Sequence, residues 1–414
     1  MQKHALIGAS LGTMIEYYDY AIFALFITIM MPAIVGRHSA LPALMSGYII
    51  MLVSQILRPV GGLFFGYFGD KLGRKRTLIF AILGISISTL LIGIMPGYAR
   101  IGLGAFALIM LLKSIQVFCF GGEYNGAGIY VVEHAKARNE CFWGSVLTGM
   151  TLFGALLASI IGVFLTRAGM PDWSWRLAFI GGGIFGLFGI WYRRKMMESP
   201  AFLQSHAPRQ PLLNLLKDDW RSVLVAAAIG AFCTVPFTTV VIFINPFLTM
   251  HHYFTAHQMM ILQMLVILFA ILVLVLAGYL ADRFGPKKVM LTGASIIVLF
   301  SLPALMGLDH NNLLWIVSGQ LILIFGNELL LGPSNAYMKR CFPVHSRYRG
   351  ASLGFCAGMA LAGGVTPLIE NAIYHASHSF AWIFLWPMFV GLIAFFALSK
   401  HGASEVSVLM PASN

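Results

Sequence analysis

Ionisable residues occur at seven positions inside the long apolar stretches of this 414-residue sequence: Glu16, Asp19, Arg58, Lys113, Glu123, Glu328 and Glu370. A charged side chain at the centre of a membrane helix costs roughly 2.5 to 3.5 kcal/mol on insertion scales, so such residues usually face a bundle interior and serve a function. A buried carboxylate can take up and release a proton when its surroundings change, and a buried cation can hold a carboxylate ligand. These residues therefore predict proton transfer and the binding of a charged solute.

The composition indicates that these residues lie in a membrane protein and not in a water-soluble one. Apolar residues make up 59% of the chain and charged residues only 10%, against roughly 25% charged in an ordinary soluble domain. The apolar stretches are about 20 to 30 residues long without the alternation of a barrel strand, which excludes a porin-type barrel. Because Glu16 and Asp19 interrupt the first apolar run, we expect that run to be a retained span rather than a signal peptide.

Charged and Pro/Gly/His-rich breaks divide the chain into twelve predicted spans. Their approximate limits are 5–35, 42–66, 77–95, 104–132, 143–168, 175–193, 221–249, 257–280, 288–306, 313–338, 350–375 and 380–400. If the N-terminus is cytoplasmic, most of the 27 Lys and Arg residues fall in cytoplasmic segments. The positive-inside rule therefore predicts cytoplasmic termini, in a multi-pass protein of the bacterial inner membrane.

The longest polar stretch lies almost at the midpoint of the chain and contains Pro200, Pro208 and Pro211. It separates six predicted spans from six. We therefore expect an N-terminal bundle over 1–193, a cytoplasmic linker over 194–220, a C-terminal bundle over 221–400 and a cytoplasmic tail over 401–414.

A short motif occurs once in each half. Gly66-x-x-x-Asp70-Lys-x-Gly-Arg74-Lys-Arg stands between spans two and three, and Gly278-x-x-x-Asp282-Arg283-x-Gly-Pro-Lys-Lys stands between spans eight and nine. Glycine allows close helix approach, the aspartate can accept from backbone donors at the next helix start, and the cations hold the loop at the anionic inner leaflet. The two halves are thus copies of one six-span unit.

This pair of motifs in a six-plus-six layout resembles the major facilitator superfamily. Further segments are similar to its metabolite:proton symporter family, which includes proline/betaine, α-ketoglutarate, shikimate and citrate carriers: Ile15-Glu-Tyr-Tyr-Asp-Tyr20, Arg58-Pro-Val-Gly-Gly62, Gly121-Gly-Glu-Tyr124 and Glu198-Ser-Pro-Ala-Phe202. The resemblance implies an all-α fold of twelve transmembrane helices in two pseudo-symmetric six-helix bundles. It also implies alternating access to a central site.

Two departures from the expected motifs bear on the substrate and on the direction of transport. The chain has Lys113-Ser-Ile-Gln116 where the family usually has Arg-x-x-Gln, and span five lacks the Gly-x-x-x-Gly-Pro element of drug antiporters. The second departure favours uptake over drug efflux. The first weakens the transfer of any one member's substrate to this chain.

The candidate site residues divide into three groups. We expect proton coupling at Glu16, Asp19 and Glu123. We expect substrate binding at Tyr20, Arg58, Lys113, Gln116, Asn327, Glu328 and Glu370. We expect a conformational latch, which holds the outward-open state, at Gly66, Asp70, Arg74, Asp282 and Arg283.

The intramembrane charges also restrict the substrate. Five acids against two bases favour a zwitterion or an ammonium-bearing solute over a multiply anionic one, and Tyr17, Tyr18, Tyr20, Phe23 and Phe120 could form an aromatic cage for a quaternary ammonium. The C-terminal half has no Lys or Arg within a span to neutralise Glu328 and Glu370, although Glu370 could also lie at the water interface. The sequence thus predicts import of a zwitterionic compatible solute or an organic acid by proton symport.

Alternatives from other classes stay open at this point. A uniporter, or an exporter of a carboxylate or siderophore-like compound, would have the same layout. A membrane enzyme would need a metal or nucleophile constellation, and no span contains His-x-x-x-His or Glu-x-x-His. A transport-dead sensor would usually carry a regulatory domain. We expect no cofactor beyond the proton gradient, a small solute, H⁺ and lipid as partners, no nucleic acid, and a monomer.

Overall fold

The structure is a computed structural model that describes residues 2–36, 40–194, 198, 219–250, 254–306, 313–343 and 347–401. Within these ranges twelve long helices account for most of the chain. They are α1 (Gln2–Val35), α2 (Ala40–Leu72), α3 (Arg74–Ile94), α4 (Gly104–His134), α5 (Glu140–Leu165), α6 (Trp175–Arg193), α7 (Trp220–Met250), α8 (Ala256–Phe284), α9 (Pro286–Met306), α10 (Leu313–Cys341), α11 (Arg347–Ser377) and α12 (Phe380–Lys400).

The helices have the length and apolarity of membrane spans. Ten of those described are long and apolar enough to cross a bilayer, and Trp175–Trp191 is a shorter apolar segment. The predicted all-α fold with twelve spans is confirmed. Several helices, such as α2, extend beyond the predicted spans because their polar ends continue the helix past the apolar stretch. Most of the predicted linker and tail lies outside the described residues.

Two of the helices change their winding near mid-length. In α7 the segment Thr239–Ile244 is π-helical and follows Pro236, which removes a backbone donor. In α11 the segment Met359–Gly363 is π-helical, and a new α-helical segment starts at Thr366. Such wider turns are frequent at functional sites. Both occur in the C-terminal half at the level of the candidate site.

The packing of the helices repeats between the two halves. In the first half α1 packs on α5, α2 on α4 and α3 on α6, and in the second half α7 packs on α11, α8 on α10 and α9 on α12. Between the halves α5 packs on α8 and α2 packs on α11. Equivalent helices thus pair in the two halves and across their interface, as expected for two copies of one six-helix unit.

Basic side chains are concentrated at one end of the molecule, where α4, α8 and α10 end. This end contains Lys136, Arg283 and Lys339 and is called the basic side below. The opposite end, which contains the last turns of α7 and α11, is called the far side.

Two glycine-rich segments that the sequence analysis identified pack against each other. A Cβ atom on Gly61 of α2 would lie 1.8 Å from the carbonyl oxygen of Phe118, and one on Gly121 of α4 would lie 2.1 Å from that of Arg58. Only glycine allows the two backbones to approach this closely. The contact fixes Arg58 and the segment that follows Gly121 relative to each other.

Replacement of Gly61 by alanine should therefore destabilise the N-terminal bundle. A Cβ that overlaps a backbone atom forces the helices apart, and such overpacking costs about 1 to 3 kcal/mol. Gly181→Ala is the matched control, because nothing lies within 4 Å of a Cβ at Gly181 of α6. Thermal unfolding of the purified protein in detergent checks this: Gly61→Ala should unfold several degrees below the wild type and Gly181→Ala should not. Equal unfolding temperatures of the two variants would contradict the close packing.

Candidate functional site

A cavity with about 560 Å³ of empty space lies between the two bundles near their middle. Its walls come from α1, α2 and α5 on one side and from α7, α10 and α11 on the other. The lining residues are Glu16, Tyr17, Tyr20, Arg58, Thr151, Leu152, Cys233, Thr234, Phe237, Asn327, Glu328, Leu331, Phe355 and Met359. Four of the seven predicted substrate-binding residues, namely Tyr20, Arg58, Asn327 and Glu328, therefore line one cavity.

The N-terminal wall of this central cavity carries an ion pair. Arg58 Nη2 donates to Glu16 Oε1 at 2.8 Å, and both side chains are buried. Glu16 Oε2 and Arg58 Nε have no hydrogen-bond partner, and the guanidinium lies 5.7 Å from the ring centroid of Phe120. Each member of the pair thus keeps one polar atom available to a ligand.

The opposite wall carries a carboxylate without a cation. Asn327 Nδ2 donates to Glu328 Oε1 at 3.1 Å, and Glu328 Oε2 has no partner. Every Lys and Arg between Arg221 and Lys400 lies near the basic ends of the helices. Among the described residues no ion pair includes Glu328, so a proton or a positively charged ligand is needed to compensate its charge there.

Aromatic rings occupy the space between the two walls. Tyr17, Tyr20, Phe237 and Phe355 line the cavity, and Phe355 stacks on Tyr124 with ring centroids 5.3 Å apart. The other aromatic residues that the sequence suggested for a cage lie elsewhere. Tyr18 donates its hydroxyl proton to the carbonyl of Ala178. Phe23 lies beside the ammonium of Lys113. Phe120 lies beside Arg58, but the ring itself is not part of the cavity lining.

Asp19 belongs to a second buried cluster, inside the N-terminal bundle. Thr89 Oγ1 lies 2.6 Å from Asp19 Oδ2, Gln116 Nε2 donates to Thr89 Oγ1 at 2.7 Å, and Lys113 Nζ donates to Gln116 Oε1 at 2.5 Å. The ammonium of Lys113 also lies 4.6 Å from the Phe23 ring centroid. Lys113 and Gln116, two predicted substrate-binding residues, therefore belong to the hydrogen-bonded cluster around Asp19 and do not line the central cavity.

The hydroxyl of Thr89 can serve either protonation state of Asp19. It has one proton and two acceptors within reach, namely Asp19 Oδ2 and the carbonyl oxygen of Ile85 at 2.9 Å. With Asp19 ionised, the hydroxyl donates to the carboxylate. With Asp19 protonated, it can accept from Asp19 and donate to Ile85 instead. Asp19 Oδ2 and the Thr89 hydroxyl therefore each keep a hydrogen-bond partner when Asp19 gains a proton at Oδ2.

Glu123 forms a different ion pair, with Arg193. Arg193 donates through both terminal nitrogens to the two oxygens of Glu123 and also donates to the carbonyl of Leu78 at 2.8 Å. Arg193 is fully buried at the end of α6, because the carboxylate on α4 compensates its charge.

Glu370 does not line the central cavity. It is fully buried in α11, where its Oε1 accepts from Thr239 Oγ1 at 2.5 Å and its Oε2 has no partner. The alternative that it lies at the water interface is therefore wrong. Like Thr89, Thr239 can donate to either of two acceptors, because the carbonyl oxygen of Val235 lies 2.9 Å from its hydroxyl.

The two bundles contact each other on both sides of the central cavity. On the basic side Asp282 accepts from the backbone N–H groups of Cys141 and Phe142, at the start of α5. Ion pairs Glu140–Lys339 and Glu133–Arg347 lie beside it. On the far side Tyr48 donates to the carbonyl of Ile242 at 2.9 Å.

The predicted latch residues differ in their contacts. Asp282 accepts from a helix start across the interface, not from the start of the next helix as the sequence suggested. Gly66 lies where α2 approaches Arg349 of α11, and Arg283 lies over the ring of Phe284 at 5.6 Å. The side chains of Asp70 and Arg74 are outside the described part of the structure.

Sequence reasoning missed several residues of these sites. Thr89, Thr239 and Thr151 each stand near other Ser or Thr residues in an apolar span, and nothing in the sequence distinguishes them from these neighbours. Arg193 stood at the edge of a polar segment. Glu198 of the segment after α6 accepts from the backbone N–H of Lys75 at the start of α3. In the described ranges no cluster of three or more His, Cys, Asp or Glu side chains could hold a metal ion.

Comparisons with known proteins agree with this architecture. Residues 5–211 match the family "Sugar (and other) transporter", and residues 227–405 match "Major Facilitator Superfamily". A putative proline/betaine transporter of Staphylococcus aureus (strain COL) is 32% identical over 385 residues, which cover 89% of this chain and 81% of the relative. The proline/betaine transporter of Escherichia coli (strain K12) is 27% identical over 433 residues, which cover 100% of this chain and 86% of the relative.

Solved structures show the same fold. The proton:xylose symporter XylE bound to 6-bromo-6-deoxy-D-glucose has a TM-score of 0.81 at 18% identity, with 96% of this chain and 95% of that chain covered. The human organic anion transporter MFSD10 has a TM-score of 0.72 at 14% identity, with 96% and 99% covered. The predicted resemblance to the superfamily is confirmed.

The contact of Asp282 with α5 predicts how the basic side opens. Asp282→Ala removes two charge-assisted hydrogen bonds, each of which contributes about 1.5 kcal/mol or more. Cys141, which is 1% exposed, should therefore react severalfold faster with a maleimide when the other four cysteines are replaced by serine. Arg283→Ala is the control, because Arg283 packs on Phe284. An unchanged rate in Asp282→Ala would show that this contact does not hold the basic side closed.

Proposed function

This chain belongs to the major facilitator superfamily and is a membrane transporter, and we propose that it imports a small zwitterionic solute together with protons. One observation carries the proposal: the Arg58–Glu16 pair and the cation-free carboxylate of Glu328 line the same cavity. A solute with a carboxylate at one end and an ammonium at the other has a partner on each wall.

The unpartnered atoms support an assignment of the two solute groups. Arg58, with its free Nε, offers a planar set of donors that suits a carboxylate. Glu328, with its free Oε2, offers an anion for the ammonium, and the faces of Tyr17, Tyr20, Phe237 and Phe355 can surround a cationic head group. An organic acid without a positive charge would leave Glu328 uncompensated, so the zwitterion is favoured over the organic acid.

The names of the relatives agree with this chemistry. Proline and betaine each combine one carboxylate with a secondary or quaternary ammonium. These solutes are transported by the relatives according to their names, and for this chain they define the class to be tested. The shared feature is the separation of one negative and one positive group by a short carbon link.

Competition for Arg58 couples the proton to the solute in the proposed mechanism. With Glu16 ionised, the guanidinium is engaged by Glu16 Oε1. A proton on Glu16 weakens this pair, and the solute carboxylate takes the vacated donors. Proton binding and solute binding then favour each other, and linkage requires the effect to be reciprocal. Solute affinity should therefore rise as the pH falls.

Asp19 is proposed as a second proton carrier. It is buried, its Oδ1 has no partner, and Thr89 can satisfy either of its protonation states. Lys113 lies at the other end of the hydrogen-bonded chain through Gln116, so its charge stabilises the ionised form. Glu123, the third predicted carrier, is held at both oxygens by Arg193, and we assign this pair to bracing α4 against α6.

The remaining parts of the proposal concern topology. The basic side is assigned to the cytoplasm of a bacterial inner membrane, with both termini there, by the positive-inside rule. Residues 194–220 then form a cytoplasmic linker and residues 401–414 a cytoplasmic tail. Asp282 and Glu140–Lys339 latch the cytoplasmic side while the far side opens. We propose a monomer that is driven by the proton gradient without a cofactor.

Neutralisation of the two carriers tests the coupling. In proteoliposomes with an alkaline interior, the wild type should accumulate glycine betaine or proline, and a protonophore should abolish the accumulation. Glu16→Gln and Asp19→Asn should still exchange solute but fail to accumulate it. In Glu16→Gln the affinity should also no longer improve as the pH falls. Protonophore-insensitive uptake by the wild type would instead indicate a uniporter.

Two further variants control this experiment. Asp172→Asn makes the same chemical change in the exposed loop between α5 and α6 and should accumulate solute as the wild type does. Glu123→Gln should lower the unfolding temperature, since loss of one partner of a buried pair costs about 3 to 5 kcal/mol, while the folded fraction still accumulates solute. Normal accumulation in Glu16→Gln and Asp19→Asn would overturn the coupling proposal.

A pair of matched ligands tests the assignment of Glu328. Glycine betaine and 3,3-dimethylbutanoate have the same shape, but only betaine carries the positive charge. The wild type should prefer betaine by at least about tenfold, as expected for a desolvated cation beside aromatic rings and a carboxylate. Glu328→Gln should lose most of this preference in competition binding. Retention of the full preference would exclude Glu328 as the ammonium partner.

A further inference from the structure

A second cavity lies between α2, α7 and α11, on the far side of the Thr239–Glu370 bond. It has about 550 Å³ of empty space, and its lining includes Tyr48, Phe243, Phe247, Asn371 and Tyr374. The lining shares no residue with that of the central cavity.

Aromatic rings from three helices surround this far-side cavity. The Tyr374 and Phe247 ring centroids lie 4.6 Å apart at 70°, and Phe247 is supported by Phe380 at 4.7 Å. Tyr48 is fixed by its hydrogen bond to Ile242. Rigid aromatic faces on several sides of a cavity are the surroundings that bind alkylammonium groups, provided that an anion is close.

The anion is Glu370. It precedes Tyr374 by four residues on α11, and Thr239 precedes Phe243 by four residues on α7, so the Thr239–Glu370 pair lies one helical turn below two lining residues. One turn corresponds to about 6 Å of helix rise. Glu370 Oε2 is fully buried without a partner, and between Arg349 and Lys400 the sequence has no Lys or Arg.

We propose that the far-side cavity is a second binding site, which takes the ammonium group of the solute with Glu370 as its counter-ion. The site rests on the proposed function for its role, because it would receive the solute before the central cavity. Along α7 the order is Phe247 and Phe243, then Thr239, then Phe237 of the central cavity. The carboxylate therefore stands between the two cavities, where an ammonium leaving the aromatic rings meets it.

The position of Glu370 also explains its bond to Thr239. While the cavity is empty, the Thr239 hydroxyl donates to the Glu370 carboxylate and stabilises it. When a cation arrives, the hydroxyl can donate to the carbonyl of Val235 instead, which frees the carboxylate to bind the cation. Thr239 is the first residue of the π-helical segment of α7. Release of Glu370 thus changes a contact of the π-helical segment, and in this proposal that segment moves when the far side opens.

Cation binding can be measured without transport. The probe is choline, and its neutral isostere 3,3-dimethyl-1-butanol is the control ligand. The experiment uses calorimetry of the full-length protein in detergent, in a Glu328→Gln background so that the central cavity lacks its anion. We expect choline to bind this background at least tenfold more tightly than the alcohol, and Glu370→Gln in the same background to lose that difference.

Two variants of Tyr374 separate recognition by the ring from general damage. Tyr374→Phe keeps the ring and should retain choline binding, whereas Tyr374→Leu should weaken it severalfold. Unfolding temperatures show whether each variant is folded.

The outcomes distinguish this inference from the proposed function. Equal choline affinity with and without Glu370→Gln, in folded protein, would overturn the far-side site even if the wild type accumulates betaine. Absence of proton-driven uptake would overturn the proposed function, while the choline measurement would still decide whether the site exists. Loss of choline binding in Tyr374→Phe would also contradict the role given to the ring.

Discussion

The cost of placing charge inside a bilayer determines how this transporter is arranged. Each buried ionisable residue of the N-terminal bundle has a protein partner: Glu16 has Arg58, Glu123 has Arg193, and Asp19 has a hydrogen-bonded chain that ends at Lys113. The C-terminal bundle contributes Glu328 and Glu370, and neither forms an ion pair with Lys or Arg in the part of the chain that the structure describes. The two bundles are alike in fold but differ in charge balance, because the buried charges of the N-terminal bundle are matched and those of the C-terminal bundle are negative. A ligand that compensates Glu328 or Glu370 must therefore bring a positive charge.

Threonine hydroxyls allow a buried carboxylate to keep a hydrogen bond in both of its protonation states. A carboxylate that gains and loses a proton in a dry environment needs a neighbour that can both donate and accept. Thr89 and Thr239 each lie within hydrogen-bond distance of a carboxylate and of the carbonyl four residues earlier in the same helix. The hydroxyl proton can therefore move between two acceptors without leaving either side chain in a strained position. One such pair occurs in each bundle, beside Asp19 and beside Glu370.

The sequence predicted the helices and the buried charges better than the partners of those charges. Apolar length and basic loops were sufficient for twelve spans, and residue type was sufficient to mark Lys113 and Gln116 as site candidates. Residue type does not fix how a helix is rotated toward its neighbours, so both residues were assigned to the substrate although they belong to the Asp19 cluster. Arg193 was missed because the end of a helix and the start of a loop have the same composition. Its partner Glu123 lies 70 positions away in the sequence.

Under the proposed mechanism, Arg58 permits two loading states and disfavours the others. In the empty cavity the ionised Glu16 holds Arg58. In the loaded cavity the solute carboxylate holds Arg58, Glu16 carries a proton, and the solute ammonium compensates Glu328. A proton without solute leaves a buried guanidinium unpaired, and solute without a proton places two carboxylates against one guanidinium. Both of these states carry the penalty of an uncompensated buried charge, several kcal/mol. Because that penalty far exceeds thermal energy, a single shared cation is sufficient to keep proton and solute movement together.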